Sequence, residues 1–87
     1  MVCEYDPYKA LAHPLRRALL SEMRNEGKTL AYLAKHVGAS LSRTSNHLRL
    51  MENAGLILTR RMGGKKVYSL RRQNFRQLQD FVNDLLD

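Results

Sequence analysis

Apolar residues recur every three or four positions along most of this chain, and between Leu56 and Leu70 the period drops to two. That is a switch from helical to strand spacing. Asp6 before Pro7 marks a first helix, supplying an N-cap oxygen and a proline at the first helical position, where no amide bond is lost. Pro14 disfavours helical backbone at the residue before it, so this helix is expected to stop near His13 and a second to open at Pro14. In the second helix Leu15, Ala18, Leu19 and Met23 form the inner stripe and Arg16, Arg17 and Arg24 fall on other faces, until Asn25 to Gly27 supply a stop. These N-terminal helices fill about 6–27.

Residues 29–54 read as two helices joined by a glycine turn. Thr29 caps the first, with Leu30, Leu33, Ala34 and Val37 inward, Lys35 and His36 outward, and Gly38 at its end. Ser40 caps the next, which runs to about Ala54 with Leu41, Thr44, Leu48 and Met51 inward and stops at Gly55. Helices this short and this close must cross steeply, so the first braces the second while the second projects one face outward. The stretch 56–70, LILTRRM then GG then KKVYSL, predicts a β-hairpin in which Tyr68 and Leu70 close over the core. From about Asn74 to Leu86, Phe75, Leu78, Phe81, Val82, Leu85 and Leu86 form one seam. A seam that long exceeds what so small a core absorbs, so part of it is expected to pair with the same helix of a second chain; the alternative is a helix folded wholly onto its own domain. The fold class is therefore mostly α with a small β-hairpin, a winged helix-turn-helix in one domain over 1–87, with helices flanking the core at both ends.

Length strengthens the expectation of a dimer. A chain of 87 residues buries only roughly 60–65% of the surface its unfolded form exposes, so a partner subunit adds needed core. No apolar run approaches the roughly 20 residues of a membrane span, and the start MVCEYDPYK is neither basic nor apolar, which together predict a cytoplasmic protein without a membrane partner. The single cysteine, Cys3, cannot close an internal disulfide. A sensing role for that thiol stands against the simpler reading of an incidental terminal residue.

Charge changes the picture more. The 15 Lys and Arg against 8 Asp and Glu give a net +7, and between Lys28 and Arg76 eleven basic residues face one acid, Glu52. Such a field suits a polyanion, because displacing counterions from phosphates drives non-specific nucleic-acid binding. A solvated, solubilising surface would explain the charge but not the side chains of the fourth helix, whose outward face carries Ser42, Arg43, Asn46, Arg49 and Asn53. Arg can place two bonds on guanine, Asn two on adenine, and Ser lets the helix approach closely. Arg60, Arg61, Lys65 and Lys66 put charge on the hairpin, where a wing can grip phosphate or enter the minor groove. GGKK lacks the third glycine, the Lys-Ser/Thr ending and the strand-to-helix setting of a phosphate loop. His13, His36 and His47 lie in three separate elements without ligand spacing, and no carboxylate pair or Ser-His arrangement is present. The expectation is no enzyme, no cofactor, no catalytic or metal residue and no evident small-molecule ligand, with double-stranded DNA and a second copy as partners.

With these residues in view, the chain from Tyr8 to Leu86 resembles the ArsR-type winged helix-turn-helix repressors. KALAHPLRRALLSEM is similar to that family's opening pattern, LAKHVGASLSRTSNHLRLMENAGLI to its helix-turn-helix, and RRMGGKKVYSL to its wing. The resemblance implies a homodimer joined by the first and last helices, with Tyr8 and Leu11 beside the C-terminal seam. It implies base reading by Ser42, Arg43, Ser45 and Asn46, with Ser40 and His47 near phosphate. Leu41 departs from the pattern, since many relatives have Gln there. The inducer sites depart too: Ala31 and Leu33 stand where metal-sensing members carry cysteines, and the last helix has Asp80 and Asp84 but no His. Three readings remain open at this point: a sequence-specific repressor reading an inverted repeat, a non-specific or architectural nucleic-acid binder, and a protein-interaction module on the same scaffold.

Overall fold

Asp6 caps as its position before Pro7 predicts: its Oδ1 accepts the Tyr8 N–H at 2.8 Å and starts α1 (Pro7–Ala10). The computed structural model describes residues 6–87, so Cys3 lies outside the described residues. After α1 come α2 (Pro14–Glu22), β1 (Lys28–Thr29), α3 (Leu30–Val37), α4 (Leu41–Asn53), β2 (Ile57–Met62), β3 (Lys65–Leu70) and α5 (Arg72–Leu86).

The first helix is shorter than its pattern suggests, ending at Ala10 rather than near His13. Pro14 drives His13 into extended backbone, and the carbonyls released at the end of α1 are taken up by arginines of α2, Arg17 Nη1 donating to Leu11 O at 2.7 Å and Arg16 Nη2 to Lys9 O at 3.4 Å. His13 itself caps α2, its Nδ1 accepting the Leu15 N–H at 3.1 Å. Thr29 and Ser40 cap α3 and α4 as expected, through bonds from Tyr32 N at 3.2 Å and Arg43 N at 3.0 Å. Gly38 ends α3 with φ +71°, a left-handed conformation that glycine adopts without a side-chain penalty.

The core is built where the inner stripes of four elements meet: Leu19 of α2 with Met23 at its C-cap, Leu33 of α3, Leu48 and Met51 of α4, and Ile57 of β2, joined by Leu56 and Tyr68. Two sequence expectations are corrected here. Ala18 is exposed, and Leu20 takes the buried position beside Leu19. Leu41 is exposed while Thr44, Leu48 and Met51 of its stripe are buried. Leu41 instead lines an open hollow between α3 and the hairpin, together with Leu30, Ala31, Lys65, Lys66 and Tyr68.

The hairpin supplies two strands of a three-stranded antiparallel sheet, in the order β1-β3-β2 with β3 at the centre. Gly63 and Gly64 turn it with φ of +60° and +81°, and β2 and β3 pair from Ile57↔Leu70 to Met62↔Lys65. Strand β1 was not foreseen. It pairs Lys28↔Tyr68 and Thr29↔Val67, and two residues are too few to show a period. Gly27 makes it possible, because a Cβ there would stand 2.6 Å from Val67 Cγ1.

Helix α5 starts two residues before Asn74, without a side-chain cap. Asn74 instead donates from Nδ2 to Gly55 O at 2.7 Å, Arg71 N–H bonds Leu56 O at 2.9 Å, and Arg72 Nη2 reaches Arg24 O at 2.6 Å. These bonds and Leu78 fix its first half to the body, and its far half extends a molecule measuring 44 × 22 × 21 Å. No helix of the described residues is long and apolar enough to cross a membrane.

Candidate nucleic-acid interface

The capped start of α4 holds its outward residues in fixed register. Ser42, Arg43, Asn46 and Arg49 are exposed, and Ser45 is half-buried beside them. Arg49 Nη2 donates to Asn46 Oδ1 at 3.1 Å. That contact pre-aligns two donors on one face, and the Asn46 amide nitrogen is left to donate. The second lone pair of Asn46 Oδ1 is also free, so the amide can address one adenine with both atoms while Arg49 holds it. The only acid on the helix, Glu52, sits at its far end and accepts the Thr59 hydroxyl at 2.6 Å, which ties α4 to the wing strand β2.

Arg60, Arg61, Lys65 and Lys66 are all exposed on the wing. The register sets Arg61 directly opposite Lys66. Like charges across an antiparallel pair are unfavourable, and an anion between them reverses the sign of that interaction. Among the described residues the one ion pair joins Lys28 to Glu26 at 2.9 Å, so the wing cations have no acidic partner there. Between wing and helices lies an open hollow of about 350 Å³, floored by Leu30, Ala31 and Tyr68 and edged by Leu41, Lys65 and Lys66.

A helix-turn-helix followed by a hairpin wing is also the fold of the known proteins this chain is similar to. Residues 11–60 match the helix-turn-helix domain family. The chain is 38% identical over 72 residues to the HTH-type transcriptional regulator NmtR of Mycobacterium tuberculosis, covering 83% of this chain and 60% of NmtR. It is 32% identical over 80 residues to the transcriptional repressor SdpR of Bacillus subtilis, covering 92% and 86% of the two chains. The structure of a possible transcriptional regulator for arsenical resistance superposes with a TM-score of 0.83 at 33% identity, covering 94% of this chain and 85% of that one. A homodimeric winged helix-turn-helix DNA-binding domain from Mycobacterium bovis, described as a possible ArsR-family regulator, gives 0.76 at 25% identity, with coverages of 93% and 75%. The chain belongs to the ArsR-type winged helix-turn-helix transcriptional regulators. Members of that family are DNA-binding regulators, not enzymes. This chain spans 60% of the length of NmtR.

In this ArsR-type regulator the residues singled out from sequence do not all face the same way. Ser40 is exposed, but its hydroxyl is already engaged as the α4 cap. His47 turns sideways rather than outward: its ring centroid lies 4.7 Å from that of His13, across the junction between α4 and the start of α2. Burial lowers the His47 pKa from its ordinary 6.5, and His13, Arg16 and Arg43 push it the same way. Sequence spacing gave no sign of this pair, because the two histidines belong to elements far apart in the chain. His36 stacks on Tyr32 at 3.8 Å, on a different surface. Among the described residues no three His, Cys, Asp or Glu side chains are grouped so as to hold a metal ion.

The C-terminal seam divides. Leu78 is buried in the regulator's own core, and Phe75 and Leu11 pack against it, so these three residues are already used within one chain. Tyr8, Phe81, Val82, Leu85 and Leu86 remain exposed, and Tyr8 meets Phe81 edge to face at 5.4 Å. This joins the first helix and the last into one apolar surface.

Proposed function

We propose that this regulator is a homodimeric repressor that reads an inverted repeat, with α4 in the major groove and the wing on the backbone or minor groove. The observation that carries the reading is the outward face of α4, where Ser42, Arg43, Asn46 and Arg49 stand exposed together, with Ser45 at their edge. The opposed cations Arg61 and Lys66 support phosphate contact by the wing. The exposed surface of Tyr8, Phe81, Val82, Leu85 and Leu86 supports pairing of α1 and α5 with a second copy, in keeping with the homodimeric relative. A two-fold pair of recognition helices addresses half-sites about 34 Å apart, and so an inverted repeat. Occupying such a site blocks transcription, in keeping with the repressor among the relatives.

The test is selection of bound duplexes from a random library at about 150 mM salt, where non-specific binding is suppressed. The expected product is an inverted repeat with half-site centres one helical turn apart, and Asn46→Ala should flatten the preference while sparing most non-specific affinity. Binding without enrichment would replace this reading with an architectural one. Absence of binding would leave a protein-interaction module.

A further inference from the structure

Three of the four side chains on the apolar stripe of α4, Thr44, Leu48 and Met51, are buried, but Leu41 is 57% exposed. It stands at the rim of the hollow floored by Leu30, Ala31 and Tyr68, with Lys65 and Lys66 of the wing beside it. On the helix it precedes Ser42 and lies one turn before Ser45. An apolar side chain is thus placed between a row of base-reading donors and the cations of the wing, at the end of the helix that reaches base edges when such a helix docks.

We infer that Leu41 is a specificity-determining residue that reads thymine through its 5-methyl group. This rests on the proposed docking of α4 in the major groove. There the thymine methyl is the one apolar group that a base pair presents, and aliphatic side chains recognise it by mutual removal from water. A polar residue at this position would instead seek a donor or acceptor on the base edge, so leucine changes which base is preferred as well as how tightly it is held. Leu41 is outside the core, so its side chain can adjust toward a base without displacing core residues.

Deoxyuridine differs from thymidine by that methyl alone, and provides the test. In the duplex selected by the protein, each thymine of the half-site is replaced in turn by uracil, and binding of the full chain and of Leu41→Ala is compared. Leu41 is outside the core, so the variant should fold, which a thermal melt checks. At one position uracil should weaken the unaltered protein about three- to fivefold per half-site, the effect of one buried methyl. The Leu41→Ala protein should bind the thymine and uracil duplexes equally. Equal binding by the unaltered protein at every position would overturn the assignment, as would a methyl effect that persists in the variant. Failure to select any motif would instead overturn the docking reading, and the assignment with it.

Discussion

Replacing Leu85 by alanine tests whether the far half of α5 pairs two copies of the chain. Leu85 is 70% exposed in the protomer and touches no part of its own core. Covering the exposed part of one leucine is worth about 1–2 kcal/mol. In a two-fold interface the substitution removes that contribution from both subunits, about 2–4 kcal/mol per dimer. At 1.4 kcal/mol per decade the dimer Kd should rise about 30- to 700-fold. Sedimentation equilibrium over a wide concentration range reads this directly, with Asp80→Ala, on the opposite side of the same helix, as the control that should leave Kd unchanged. Leu78→Ala separates pairing from folding. That side chain is only 8% exposed, so its loss should appear as about 2–5 kcal/mol of stability whatever the assembly state. A Kd for Leu85→Ala within threefold of the unaltered protein, or a chain that is monomeric at every concentration, would refute the reasoning.

Three other perturbations follow from the geometry. His47 has a lowered pKa, so the native state binds fewer protons than the unfolded chain between that value and the ordinary 6.5. Its contribution to stability is fully present above about pH 6.5 and is lost as pH falls through the lowered value; the melting temperature should drop between pH 7.5 and 5.5, and His47→Gln should reduce the drop, with an unchanged pH slope as the contrary result. Gly27→Ala would set a Cβ 2.6 Å from Val67 Cγ1 and 3.1 Å from Tyr68 O; it should cost about 1–3 kcal/mol in denaturant unfolding, and an undisturbed midpoint would show that β1 yields freely. Lys66→Ala on the wing should weaken binding evenly over all duplexes and reduce the salt slope of the dimer by about two, one for each subunit; a loss confined to one sequence would assign Lys66 to base reading instead.

Sequence alone determined the parts of this protein that depend on neighbours two to four positions away. The caps of Asp6, Thr29 and Ser40 close on amides two or three residues ahead, and the paired glycines turn the hairpin by themselves, so each was legible from residue type and spacing. The row of donors on α4 was legible for the same reason, because helical period fixes which side chains share a face. Packing between distant segments decided the rest. Strand β1 exists because Gly27 lets Val67 approach, and the carbonyls freed at the end of α1 find their donors in arginines of α2. Leu41 shares the period of buried neighbours and stays exposed because it faces an open hollow beside the wing rather than the core, while His13 and His47 meet only when α2 and α4 are packed. The seam of α5 likewise has one period throughout. Where it passes from the protomer's core to open surface, between Leu78 and Phe81, depends on where the rest of the fold ends beneath it, and periodicity contains no record of that.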